Sequence, residues 1–138
     1  MPDLKPELSK KSEYWLPKHR YYELKHYCLQ YPEWKHLYSS LYVPFEPFIK
    51  YIREGRTLPT RPSERIALIL ADVKRAMDLV DQCCDDVSEE LSPFLLKGVT
   101  EGLSYDKLQA LYEISYGRDA YYEAYREFFY ILSQRKGL

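Results

Sequence analysis

The stretch SERIALILADVKRAMDLVDQCCDDV, residues 63–87, decides the fold class of this chain. Its apolar residues recur at alternating steps of four and three, which is the spacing of a heptad seam along one face of a helix. The seam consists of Ile66, Leu70, Val73, Met77, Val80, Cys84 and Val87. No Gly or Pro interrupts the run, and Ser63 after Pro62 is expected to cap its start. We therefore predict a long central helix, either as the core of a monomer or as the seam of a self-associating coiled coil.

The composition is that of an ordinary globular protein. Of the 138 residues, 46% are hydrophobic and 30% are charged, which fits one domain or a compact domain with an accessory segment. Nine prolines and few alternating apolar runs favour an all-α protein whose helices are joined by Pro-marked connections. No apolar run approaches the roughly 18 residues of a membrane span, so no membrane contact is expected.

The net charge of −1 conceals an uneven distribution along the chain. Up to Arg65 there are 12 Lys and Arg against 8 Asp and Glu, whereas from Ile66 onward there are 8 against 13. An anionic partner would therefore be drawn first to the N-terminal half.

The chemistry-bearing residues favour neither catalysis nor metal binding. Cys28, Cys83 and Cys84 are odd in number and two are adjacent, which is a poor disulfide framework and indicates a reducing compartment. Neighbouring cysteines rarely face one ion, so we expect small buried thiols and no metal. The chain has no phosphate-cradling Gly loop, Gly-flanked nucleophile or His-Glu metal pattern, and we expect neither an enzyme nor a cofactor.

Three segments precede the central helix. Residues 1–11 are predicted to be a flexible tail, residues 12–42 a helical hairpin and residues 43–62 a Pro-rich connector. Pro17 can open the first helix of the hairpin, and Pro32 divides its two helices. The first helix has an apolar stripe of Tyr21, Leu24, Cys28 and Tyr31.

Residues 88–138 predict a unit of three helices. The first starts at Ser88 and stops at Gly102, the second is capped by Ser104, and the third covers 118–134. This order is that of a helix-turn-helix DNA reader, although any small bundle could show it. The third helix has a predicted buried face of Tyr121, Ala124, Tyr125, Phe128 and Leu132, and a second face of Arg118, Tyr122, Arg126 and Phe129.

Several phrases of the sequence, taken in order, resemble small phage-type proteins of the RinA and ArpU late-transcription-activator kind. The C-terminal part of that group looks like region 4 of a sigma-70 factor. The phrases are YWLPKHRYYELK (14–25), CLQYPEWK (28–35), KGVTEGLSY (97–105), GRDAYY (117–122) and REFFYIL (126–132). The resemblance implies an all-helical protein in the cytoplasm of a bacterial host, which binds phage DNA or the host transcription apparatus near late promoters.

The chain departs from this group inside the third helix and just before it. Relatives usually have a Pro-Cys pair where Ser115 and Tyr116 stand here, and a run of arginines where residues 123–127 read EAYRE. Two acidic residues at that place would repel a phosphate backbone rather than release its counterions.

Two sets of residues are candidate nucleic-acid contacts. In the C-terminal unit, Arg118 and Arg126 are the candidates for base edges, with Tyr122 and Lys107 as phosphate or stacking contacts. The N-terminal set is a basic cluster interleaved with aromatic residues, which suits backbone neutralisation and stacking. It consists of Lys18, His19, Arg20, Lys25, Lys35 and His36. The alternative for this set is that the aromatic residues are core and the lysines only keep the helix surface hydrated.

Two functions remain open on the sequence. The first is a DNA-binding transcriptional regulator of phage origin, with double-stranded DNA as its partner at late-gene type promoters. The second is a non-catalytic protein-interaction factor on the same helical frame, active in counter-defence or bound to host RNA polymerase. The acidic C-terminal half favours the second, and the sequence does not distinguish a monomer from a homodimer.

Overall fold

The structure, a computed structural model, describes residues 13–40 and 61–137. Within these ranges the chain is helical and contains no strand, which confirms the predicted all-α class. The predicted tail at residues 1–11 and the predicted connector up to residue 60 lie outside the described residues. The helices are α1 (Lys18–Leu29), α2 (residues 31–40), α3 (Arg61–Val87), α4 (Ser92–Glu101), α5 (Tyr105–Tyr112) and α6 (Arg118–Arg135).

These helices belong to two compact units. The larger unit contains α1, the end of α3 from Leu79 onward, and α4 to α6, whereas the smaller unit contains α2 and α3 up to Asp78. The predicted seam of α3 forms a face of the helix that is largely covered. Four of its seven positions are buried, and the other three are half-buried. The buried four are Leu70, Val73, Val80 and Cys84.

Local capping rules correctly gave the end of α4 and the start of α5. Gly102 ends α4 with a left-handed backbone, φ 71°, and the Ser104 hydroxyl accepts the Lys107 amide over 3.3 Å at the start of α5. α6 runs to Arg135, one residue beyond the prediction.

Two predicted helix starts were wrong. α3 is already helical at Arg61 and Pro62, so Ser63 does not cap its start. α4 begins at Ser92, four residues later than predicted, since Pro93 occupies its first turn. The Ser88 hydroxyl instead accepts the Leu91 amide over 3.2 Å in the preceding turn.

α6 is the central helix of the larger unit. It packs against α1 on one side and against α4 and α5 on another, so two adjacent stripes of its surface are buried. The predicted stripe is buried apart from Tyr125, which is half-buried, and Tyr122 and Phe129 on the second face are buried as well. One buried stripe would be enough for a helix with a single neighbour, but α6 has three.

Aromatic rings form the contact between α1 and α6. The ring of Tyr21 meets that of Phe129 edge-on, with centroids 5.3 Å apart, and its hydroxyl lies 2.8 Å from that of Tyr125. Such edge-to-face pairs contribute about 0.5–1.5 kcal/mol beyond their burial. The hydrogen bond also satisfies two phenolic hydroxyls that would otherwise be costly to cover.

The three cysteines are buried, as predicted. Burial raises the pKa of the Cys28 and Cys84 thiols far above the ordinary value, and the neighbouring thiol of Cys83 raises both further. The thiols are therefore neutral core groups at physiological pH.

Gly98 and Tyr121 give a test of packing between α4 and α6. A Cβ at position 98 would overlap the Tyr121 hydroxyl oxygen and lie 3.3 Å from its Cζ. Gly98→Ala should lower the free energy of unfolding by about 1–3 kcal/mol, as measured by urea denaturation. Gly117→Ala is the control, because nothing lies within 4 Å of a Cβ there, and it should change stability by no more than about 0.5 kcal/mol.

The same site offers a rescue. The Tyr121 hydroxyl is buried without a hydrogen-bond partner among the described residues, so Tyr121→Phe alone should be neutral or stabilising. Added to Gly98→Ala, it should restore about half of the lost stability, because the overlapping atom is gone. Purely additive effects of the two substitutions would contradict this account of the contact.

The thiols predict a dependence of stability on pH. Their pKa values are raised in the folded chain, so their contribution is complete below the unfolded value of about 8.5 and is lost as the pH rises above it. As the pH rises from about 8 to about 10, the free energy of unfolding should fall by about 2 kcal/mol for each of these two thiols. Cys28→Ala should remove its share of this slope, whereas an unchanged slope would exclude that thiol as its source.

Candidate nucleic-acid interface

The starts of α5 and α6 are held together by side chains. The Tyr122 hydroxyl accepts the Tyr105 amide over 3.2 Å, and the Tyr105 hydroxyl donates to the Tyr116 carbonyl over 2.6 Å. Arg118 forms an ion pair with Asp106, and its guanidinium carbon lies 5.4 Å from the centre of the Tyr105 ring. The first turn of α6 is therefore fixed beside the first turn of α5.

The turn between these helices has an unusual backbone. Glu113 has φ 52° and ψ 61°. Among the described residues, no other non-glycine residue has a positive φ. This left-handed conformation ends α5 and reverses the chain. The next side chain, Ile114, is only 4% exposed and anchors the turn in the core. The result is a helix, a tight turn with a buried anchor, and a second helix that begins at Arg118.

The outer side of α6 is open at its start. Asp119, Ala120 and Glu123 are exposed there. The Arg118 side chain is 40% exposed, whereas that of Arg126 is 17% exposed and lies 3.6 Å from the Glu123 carboxylate. Of the two arginines predicted to reach base edges, the structure leaves the first accessible and covers most of the second.

The other C-terminal candidates differ in exposure. Lys107 is exposed on the first turn of α5. Tyr122 is 6% exposed, and its hydroxyl bonds the Tyr105 amide. Its ring is therefore covered and is not available to stack on a base, which is one of the two roles that the sequence suggested, because α6 buries its second face as well as its first.

The basic residues predicted on α1 surround a buried aromatic stripe. Lys18 and His19 are exposed, and Arg20 lies 3.6 Å from Glu23 in an exposed i,i+3 pair. Tyr21, by contrast, is 1% exposed. The aromatic members of this part of the predicted cluster thus include core residues, as the alternative interpretation required. Lys35 and His36 are exposed on α2, which belongs to the other unit.

Lys25 lies at the edge of a cleft in the larger unit. Its ammonium is 5.9 Å from the ring centres of both Tyr21 and Tyr22. The cleft has a volume of about 90 Å³ and brings together Lys25 and Tyr122, which the sequence had placed in separate sets. Its lining consists of Lys25, Leu29, Gly98, Val99, Gly102, Leu103, Ser104, Tyr122 and Tyr125. No sequence signal relates Lys25 to Ser104, so this cleft was missed.

Comparison of the chain with family models, with curated proteins and with solved structures finds no match. In the part of the chain that the structure describes, no helix combines the length and the apolar character that crossing a bilayer requires. Within the same ranges no group of three or more His, Cys, Asp or Glu is arranged to hold a metal ion.

The turn predicts a stabilising substitution. A non-glycine residue in the left-handed region carries a cost of about 1–2 kcal/mol, which glycine avoids. Glu113→Gly should therefore raise the free energy of unfolding by up to about 1 kcal/mol, as measured by thermal and urea denaturation. Glu101→Gly is the matched control, because it places glycine in the last turn of α4 and should destabilise by about 0.5–1 kcal/mol. Destabilisation by both would mean that the left-handed turn is not formed in solution.

Proposed function

We propose that this chain is a DNA-binding transcriptional regulator of phage type, acting at late-gene promoters in the cytoplasm of a bacterial host. The observation that carries the proposal is the pair of helices α5 and α6, joined by the turn at Glu113 and clamped at their starts. The hydrogen bonds that hold the two helix starts together leave the outer side of the first two turns of α6 exposed. This order and exposure fit a helix that enters the major groove at its N-terminal end.

The residues that would contact DNA are Arg118 and Lys107. The Arg118–Asp106 pair is exposed, with side-chain exposures of 40% and 59%. Pairs of this kind contribute only about 0–1 kcal/mol, so a phosphate or a guanine edge can replace the carboxylate at small cost. Lys107 is exposed one position after Asp106 and suits a backbone phosphate. The exposed Lys18 of α1 adds positive charge to the same unit, and the exposed His19 beside it adds a polar ring.

The resemblance to the RinA and ArpU group supports the same proposal. The phrase KGVTEGLSY covers the end of α4, the turn after it and the first residue of α5, and the phrase GRDAYY covers the start of α6. They include the cap Ser104, the ring of Tyr105 and the arginine that stacks on it. The likeness thus includes residues that set the two helices against each other.

The first test is binding to duplex DNA, followed by fluorescence anisotropy. We expect the affinity to fall on the order of 100-fold between about 50 and 200 mM salt, the loss that about four phosphate contacts produce. Absence of binding at micromolar protein and low salt would reject the proposal.

The second test uses matched arginine variants. Arg118→Ala should weaken DNA binding about tenfold or more, because it removes a contact group at the start of α6. Arg126→Ala should have a smaller effect, since that side chain is mostly covered and paired with Glu123. Arg75→Ala on α3, an exposed side chain paired with Asp72, is the charge-matched control and should leave binding unchanged. An equal loss in all three variants would indicate a nonspecific effect of charge.

A protein-interaction factor is the second candidate function, and the charges on α6 favour it. Asp119 and Glu123 are exposed at the place where a groove reader needs positive charge. Leu111 is 62% exposed on α5, and the ring of Tyr112 beside it lies 6.3 Å from that of Phe94. If DNA does not bind, we expect a purified host RNA polymerase core to bind the chain, and Leu111→Asp to abolish that binding.

A further inference from the structure

The hydroxyl groups of Ser104 and Tyr122 in the cleft described above each accept one hydrogen bond and keep a hydrogen that could be donated. The Tyr122 hydroxyl accepts the Tyr105 amide over 3.2 Å, and the Ser104 hydroxyl accepts the Lys107 amide over 3.3 Å. A hydroxyl has one hydrogen to donate, and neither hydroxyl donates it to an acceptor within the described part of the chain. Both side chains line the same cleft.

The Tyr122 hydroxyl is held in place at the wall of the cleft. The residue is 6% exposed, and its hydroxyl has one hydrogen-bond partner, as most buried polar groups do. The backbone amide of Tyr105 fixes the hydroxyl oxygen in place as an acceptor. Its hydrogen is then left to point to an acceptor that enters the cleft.

The charge of the cleft selects the kind of acceptor. Lys25 is the charged residue of the lining, which contains no Asp or Glu. The remaining polar side chains of the lining are the hydroxyl groups of Ser104, Tyr122 and Tyr125. The ammonium of Lys25 and the two O–H donors of Ser104 and Tyr122, in a lining without a carboxylate, favour an anion with several oxygen acceptors. The volume of about 90 Å³ suits a single tetrahedral oxyanion.

We propose that this cleft is a binding site for a phosphate group, held by the ammonium of Lys25 and the hydroxyls of Ser104 and Tyr122. A phosphate of a DNA backbone and a small free phosphate compound share this chemistry. That the bound phosphate belongs to DNA rests on the proposed function. That the cleft binds a phosphate group does not rest on it.

The first arm of the test uses inorganic phosphate. Amide resonances of Gly102, Ser104 and Tyr105 are followed by nuclear magnetic resonance during titration with sodium phosphate, against sodium chloride at equal ionic strength. Saturable shifts with phosphate alone are expected. Shifts that do not saturate, or that chloride reproduces, would overturn the site.

Three variants connect the shifts to the proposed groups. Lys25→Met keeps the apolar stem of the side chain and should weaken phosphate binding about tenfold, whereas Lys25→Arg should retain it within about threefold. Tyr122→Phe removes only the hydroxyl and should weaken binding about fivefold. Lys97→Met is the control, because that ammonium lies 5.3 Å from the centre of the Tyr112 ring and does not line the cleft. Melting curves establish that each variant is folded, and unchanged affinity in folded Lys25→Met would reject the proposal.

The second arm identifies the source of the phosphate. If duplex DNA shifts the same amides and Lys25→Met weakens DNA binding about tenfold, the cleft holds a backbone phosphate. If DNA binding is unchanged in Lys25→Met while inorganic phosphate binding is lost, the site is supported and its ligand is a small phosphate compound. If the wild-type chain binds no DNA, the proposed function fails, and the phosphate titration alone decides the site.

Discussion

The packing of α6 against three other helices is the constraint on which the larger unit depends. Its rings contact Tyr21 of α1 on one side, and Gly98 of α4 allows the hydroxyl of Tyr121 to approach the backbone on another. Interiors packed to this density tolerate little change in volume. The same helix also supplies the side of the unit that we propose for DNA, so the proposed recognition would depend on a helix that α1, α4 and α5 hold in place.

This combination explains the pattern of charges near the proposed interface. A helix buried along two stripes has only a narrow outer stripe left, and here that stripe carries Asp119 and Glu123. Exposed lysines of the same unit lie instead on other helices, with Lys107 on α5 and Lys18 on α1. Recognition of an anionic partner would therefore depend on the surroundings of α6 at least as much as on the helix itself.

Local signals in the sequence were reliable where one short-range rule acted alone. Gly102 and Ser104 marked the boundary of α4 and α5, because a left-handed residue and a capping hydroxyl each act within one turn. The same reasoning failed at Ser88, where the fixed backbone of Pro93 decided the start of the helix instead. It also failed for stacking by the Tyr122 ring, since the burial of a second stripe depends on how many helices surround α6 and not on its own periodicity. The cleft could not be found at all, because Lys25 and Ser104 meet only through tertiary packing.

The partnership of α1 with α6 also has a consequence for synthesis of the chain. Tyr21 and Tyr125, whose hydroxyls meet, are 104 positions apart in the sequence. At about 5–20 residues per second, a ribosome needs about 5–20 s to make the intervening segment. During that time α1 can pack against α4, which is made earlier, but its contact with α6 is still missing. The larger unit is therefore completed only after α6 has been made.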